Sequence, residues 1–381
     1  MGTRVLGLAI AAALAVPIAV LGQAPAPAAL GTTTRTAAKA PYKVPMTPWG
    51  HPDLQGTWDY RSITPLERQP QYGNREFLTD AEVKELEARA AKRMDEPPPD
   101  DERAGTIHAA YWTDPGRTVT ESRRTSLIVD PPNGRVPPAA AGRGGGRGGG
   151  GGAETAGGAA RGAGGGAPAA AGGRAGGGGG AAAGGGGRGA GGGQARAGGR
   201  ADSWLDRSSL ERCITWGLPT AILPGLYNNN IQIVQSPTHV AITHEMVHDT
   251  RLIPIDTRQP ALSPVLSQWL GHSTAHFEGD TLVVVTQNFN GKNSYRGSTT
   301  NLKLTERYKR VGNDLVDFRM TIEDATVWSA PWTVAFNMRT SEGPLVEYGC
   351  HEGNYGLRNI LEVARDEEKA AADAASAKGQ K

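Results

Sequence analysis

The segment His244-Glu245-Met246-Val247-His248 sets two imidazoles four residues apart around a glutamate, the H-E-x-x-H pattern of zinc peptidases. On a helix, side chains at i and i+4 share one face, with about 5–6 Å between Cβ atoms, and can hold one ion. The surroundings point elsewhere, because 237–243 and 249–254 are short, β-branched and bounded by prolines, which favours a strand. In a strand the two histidines stand roughly 13 Å apart. No His or Glu follows His248 before His272 to supply a third ligand. The expectation is no metal and no cofactor, with His244 and His248 as ligands only if the segment is helical.

Carboxylates offer a different chemistry. Glu306 shares a strand face with Leu302, Leu304 and Tyr308, so it should point inward, and an inward carboxylate is costly unless paired. Arg319 and Arg339 are the expected partners if a bulge or strand twist turns one inward; otherwise Glu306 is a ligand-facing acid. Glu245, His248 and Asp249 form a second polar group at a strand end, where barrel mouths meet ligands. The loop Cys350-His351-Glu352-Gly353-Asn354-Tyr355-Gly356 gives a third, in which His351 and Glu352 suit a general base and its orienting partner. The same loop reads equally as a helix lead-in that caps backbone. Tyr227 and the amides of Asn228, Asn229 and Asn230, with eight tryptophans, suit saccharide recognition. The candidate catalytic residues are thus Glu306, His351, Glu352 and Glu245, and the candidate ligand contacts are His248, Asp249, Asn229 and Tyr355.

Antiparallel strands must position these groups. Leu304, Glu306 and Tyr308 alternate with polar neighbours; so do Val316, Phe318, Met320 and Ile322, then Trp332, Val334, Phe336 and Met338, and finally Val346, Tyr348 and Cys350. Further strands are expected at 53–60, 125–130, 231–235, 240–247, 251–255 and 281–289, with turns at Glu278-Gly279-Asp280 and Val311-Gly312-Asn313-Asp314. One early helix is marked by the capping box Thr79/Glu82 and by Val83, Leu86, Ala90 and Met94 at helical spacing; a second is expected over 357–375. Many strands joined by short turns imply a mainly β, antiparallel meander that closes into a calycin-like barrel, because closure removes exposed edges.

Composition bounds the rest. Of the 60 residues in 141–200, 32 are Gly, 17 Ala and 7 Arg, a tract that cannot bury a core. Residues 1–28 read as an export signal, with Arg4, an apolar run over 5–21 and an Ala-Pro-Ala site. Outside these two stretches the chain carries 32 Lys+Arg against 37 Asp+Glu, net −5, which speaks against nucleic-acid binding. The expected division is a signal at 1–28, a flexible lead-in at 29–45, one barrel domain from 46–138 and 201–365, a disordered linker at 139–200, and a frayed helical tail at 366–381. Cys213 and Cys350, an even pair in an oxidising compartment, should be bridged.

The triplet Gly56-Thr57-Trp58 resembles the first-strand glycine-x-tryptophan signature of lipocalins and related calycin barrels. The stretches DLQGTWDY, RTSLIVDPPNGRVPP, YNNNIQIVQ, EMVHDTRLIPID, EGDTLVVVTQNF and CHEGNYGLRNIL resemble an uncharacterised family of exported bacterial proteins. The resemblance implies export and brings no activity and no site residues. Three functions remain: a periplasmic or secreted barrel that binds a small, partly apolar or saccharide ligand; a hydrolase or lyase on a sugar or small organic substrate, using Glu306 and His351 with Glu245 or Glu352 to orient them; and the zinc peptidase. The expected partner is the small ligand, with no nucleic acid and membrane contact only through the transient signal.

Overall fold

Residues 42–95, 114–141, 202–256, 264–352 and 354–379 are described by a computed structural model. The expected signal and most of the Gly/Ala/Arg tract lie outside them. Ten strands follow in chain order: β1 Gly56–Asp59, β2 Ile128–Asp130, β3 Asn230–Gln235, β4 His239–His244, β5 Thr250–Pro254, β6 His272–Glu278, β7 Thr281–Gln287, β8 Lys303–Gly312, β9 Leu315–Glu323 and β10 Trp332–Thr340. They form one antiparallel sheet in the order β5-β4-β3-β1-β10-β9-β8-β7-β6. β2 adds to the edge of β10 that also carries β1. The outer strands β5 and β6 meet through a parallel bridge between Ile255 and Ala275, where Asp256 N donates to Ala275 O at 2.9 Å. The sheet is thus a nearly closed barrel, and the seam supplies the pairing that two free edges would lack. Strands from both sides of the Gly/Ala/Arg tract share it.

Period-two alternation sets the inner face. Leu304, Glu306 and Tyr308 on β8, Val316, Phe318, Met320 and Ile322 on β9, and Trp332, Val334, Phe336 and Met338 on β10 are all buried. A file of rings crosses the interior, with Tyr308–Phe318 and Phe318–Phe336 centroids 4.9 Å apart and Tyr60–Phe336 6.2 Å apart. Tight hairpins close one end: Gly279-Asp280 between β6 and β7, Asn313-Asp314 between β8 and β9, and 236–238 between β3 and β4. Gly279 takes φ +58°, the conformation that the primed hairpin turns place at their first loop position. Longer connections, including those before β3 and between β7 and β8, gather at the other end, the mouth.

Helix α1, Asp80–Asp95, starts on the expected box: Thr79 N donates to Glu82 Oε2 at 2.8 Å and Glu82 N to Thr79 Oγ1 at 3.3 Å. Helix α2, Gly356–Gly379, is continuous past 365, where a frayed tail was expected. Cys213 and Cys350 are bonded, with Cα atoms 5.7 Å apart.

Other expectations change. The alternating run Val346, Tyr348, Cys350 forms no strand, and Val346 is exposed. The neighbouring strand β10 is paired along both edges, to β9 and to β1 and β2, so it offers the run no ladder. The strand expected at 125–130 shortens to β2, because 125–127 instead hydrogen-bond to Glu76 and Pro65. Residues 139 and 140, expected in the linker, pair with the fold: Ala139 bridges Trp328, and Ala140 N donates to Val327 O at 3.0 Å.

Candidate functional site

The polar residues of the barrel interior gather at the mouth. Arg251 on β5 and Glu306 on β8 face each other across the β5–β6 seam, Arg251 Nη1 to Glu306 Oε2 at 2.7 Å and Nη2 to Oε1 at 3.0 Å. The carboxylate is wholly buried and the guanidinium nearly so. This two-point geometry is the one in which Arg best offsets desolvation of both charges. Tyr308 Oη donates to Glu306 Oε1 at 3.3 Å, Arg251 Nη1 to Thr286 Oγ1 at 3.4 Å, and Thr286 lies 2.9 Å from Ser273 Oγ. Burial is the largest influence on the Arg251 charge and opposes it, but Glu306 and Tyr308 together outweigh it, so the guanidinium pKa rises. Burial and then the Glu306 charge push the Tyr308 phenol well above its ordinary value, keeping it neutral and donating. The expected partners of Glu306 are corrected: Arg319 turns out to Asp317 and Arg339 to Glu121, both on the outer face. Neither bulge nor twist brings them in.

His244 is the diagonal neighbour of Arg251 on the inner face of the β4–β5 hairpin, since Ile242 is the residue directly opposite Arg251. Its Nδ1 lies 3.0 Å from Ala221 O, so Nδ1 carries the proton and Nε2 presents a lone pair. Burial, then the Arg251 charge, lower its pKa to about 3 despite that hydrogen bond. Nε2 has no hydrogen-bond partner, and neither does Arg251 Nε. Among the described residues, a buried acceptor and a buried donor on diagonal neighbours are thus both unsatisfied.

The segment 215–223 covers this layer. Ala221 O accepts from Tyr60 Oη at 2.9 Å as well as from His244, and Ile222 and Leu218 enter the core. Asp249 fastens the segment to the β4–β5 turn, accepting from Thr215 Oγ1 at 2.6 Å and Trp216 N at 3.2 Å. Burial raises the Asp249 carboxyl, an effect these bonds only partly oppose. Asn293 Nδ2 donates to Trp216 O at 2.9 Å in a cradle that only glycine leaves open: a Cβ on Gly217 would stand 1.7 Å from Asn293 Nδ2.

The H-E-x-x-H segment is the end of β4 followed by a turn, not a helix. His244 is buried, His248 is exposed at φ +43°, and Val247 takes φ +57°, a rare conformation for a β-branched residue. Among the described residues no three His, Cys, Asp or Glu side chains converge to hold a metal ion. Glu245 accepts from Asn230 Nδ2 at 2.8 Å and Asn230 N at 3.2 Å, tying the ends of β3 and β4. Asn229 is buried and clips its own loop, accepting from Gly225 N at 2.7 Å and donating to Asp114 O at 3.3 Å. His351, Glu352 and Tyr355 are exposed on the approach to α2. Glu306 and His351 therefore do not meet; one lies inside the barrel and the other on its outside.

Arg251, Tyr60 and the Ala221 carbonyl escape the sequence reading. Arg251 had a signal, its alternation in phase with Ile253 and Ile255, whereas the role of Ala221 rests on a backbone atom that no motif marks. No family model matches the chain, and no curated protein is found similar to it.

Proposed function

We propose that this protein binds a small, partly apolar ligand at the mouth of the barrel, beneath the 215–223 segment. One observation carries the reading: His244 Nε2 and Arg251 Nε, an acceptor and a donor on diagonal neighbours, are both buried with no partner among the described residues. Buried polar atoms of native proteins are nearly always satisfied, and a pair left open at a loop-covered mouth suits a ligand that offers both a donor and an acceptor. Apolar neighbours such as Ile222 and Leu218 suit the rest of such a molecule. The aromatic file below favours a ligand held at the mouth over one enclosed along the barrel axis, and the calycin likeness extends only this far. A saccharide has less support, because Asn229 spends its amide on Gly225 and Asp114, and the Asn230 Nδ2 donates to Glu245, leaving only Asn230 Oδ1 without a partner among the described residues.

The setting we propose is outside the cytoplasm. The Cys213–Cys350 bond fits an oxidising compartment, and none of the described helices is long and apolar enough to cross a membrane.

The test is the melting temperature of the chain from residue 29 onward, measured against panels of amides, hydroxy acids, lipophilic alcohols and saccharides. A ligand at a hundred times its dissociation constant stabilises by about 2.7 kcal/mol, readily seen. One chemical class should raise the melting temperature, and His244→Phe should lose the response. A flat result across all panels, or a response unchanged in His244→Phe, would sink the reading.

A further inference from the structure

Three arginines are buried in the described structure: Arg68, Arg207 and Arg251. Two face carboxylates, Arg251 on Glu306 and Arg207 on Glu211. Arg68 faces none. It is 2 % exposed, and its single side-chain hydrogen bond runs from Nε to Thr125 Oγ1 at 2.9 Å, while Nη1 has no partner. Arginine cannot shed its proton in a protein, so burial cannot neutralise it as it does a histidine or a carboxyl. A guanidinium buried without an anion is costly, which makes a missing counterion the economical explanation of the site.

The surroundings are built for a charge rather than for apolar packing. Beside Arg68 stand two buried hydroxyl residues of the segment leading into β2: Thr125, which accepts from its Nε, and Ser126, which meets it at Gly134. Its backbone is pinned, with N donating to Gly134 O at 2.7 Å, and Gly134 at φ +68° packs directly on the side chain. A Cβ there would stand 3.1 Å from Arg68 Nε and 2.4 Å from Ser126 Oγ, so the turn 131–134 is shaped around this arginine. Asn133 and Arg135, on either side of Gly134, are exposed. The nearby Glu67 is not available, because it pairs with Arg296 at 2.8 Å and accepts from Val136 N at 3.2 Å.

We infer that Arg68 is the core of an anion-binding site, distinct from the His244 and Arg251 pair, that takes the carboxylate of a small organic acid. One buried cation flanked by neutral hydroxyls matches a single negative charge better than a dianionic phosphate. The planar edge of the guanidinium also matches the two oxygens of a carboxylate.

The experiment uses the chain from residue 29 onward at constant ionic strength, with chloride replaced stepwise by acetate, succinate or inorganic phosphate. Melting temperature is followed for the wild type, Arg68→Lys and Arg68→Met. In the wild type, acetate and succinate should raise it saturably by a few degrees and phosphate by less. Arg68→Lys should keep a weakened response and Arg68→Met none. Should the variants fail to fold, the wild type carries the test through the 15N-resolved Nε–H signal of Arg68, which should shift saturably over the same carboxylate range. A melting temperature and an Arg68 signal that ignore carboxylates would overturn the inference. So would an equal response in wild type and Arg68→Met, or a stronger response to phosphate than to carboxylate.

Discussion

Among the described residues Arg251 and Glu306 are each other's only counterion, so each should tolerate loss of the pair better than loss of its partner. Removing one member of a buried pair costs about 3–5 kcal/mol, whereas replacing both by apolar residues is often neutral or better. Arg251→Met and Glu306→Leu should each lower stability by that order in urea unfolding, and the double variant should regain most of it. If the losses simply add, the two groups are not coupled and the site geometry is wrong. His244 makes a separate forecast. Its pKa is lowered from 6.5 unfolded to about 3 folded, so the unfolded chain binds the extra proton between those values. The stability it contributes is complete above pH 6.5 and is lost as pH falls toward 3. Relative to wild type, His244→Gln should flatten the fall in stability by up to about 1.4 kcal/mol per pH unit across pH 4–6. Parallel pH profiles for the two proteins would show that this histidine is not buried neutral.

At the scale of elements, the 215–223 segment and α2 depend on the same covalent tie. Cys213 lies just before that segment and Cys350 just before α2, and Asn354 Nδ2 adds a bond to Glu211 O at 3.3 Å. The sheet itself uses neither cysteine. Reduction, or Cys213→Ser with Cys350→Ser, should therefore cost about 2–5 kcal/mol overall. It should also raise proteolytic cleavage around 343–355 before it affects amide exchange in β8, β9 and β10. Cleavage at equal rates with and without reductant would mean that α2 is held by packing alone. The strands follow a simpler logic, since apolar alternation at 302–308, 316–322 and 332–338 dictates which face turns inward and the hairpin turns fix their register. The same alternation misled at 346–350, where the pattern is present but both edges of the preceding strand, β10, are taken.

For the whole molecule, the decisive pairing is β1 between β3 and β10, with β2 beside it on β10. This inserts Trp58, a residue from before the Gly/Ala/Arg tract, into a core made largely by residues after it. A protease site placed within 142–201 should give a nicked protein that still elutes as one species and melts cooperatively. Residues 202–381 expressed alone should show no cooperative transition, because β3 and β10 would each lose a partner. A stable isolated 202–381 fragment would show that the first part of the chain is an accessory.

The sequence by itself determined the local features of this protein. Period-two burial, the Gly279 hairpin, the Thr79–Glu82 cap and the candidacy of Cys213 and Cys350 as a pair depend on residues near one another or on residue chemistry alone. It also marked Glu306 as an inward carboxylate from its phase on one strand. The tertiary structure decided what Glu306 meets, because Arg251 lies 55 positions away and arrives only when β5 and β6 close the barrel. It likewise decided that His244 turns from a metal candidate into a buried neutral donor to Ala221 O, and that Arg68 is left without an anion. Contacts of this kind are fixed by how strands far apart in the chain close on one another, and no periodicity or motif records that closure.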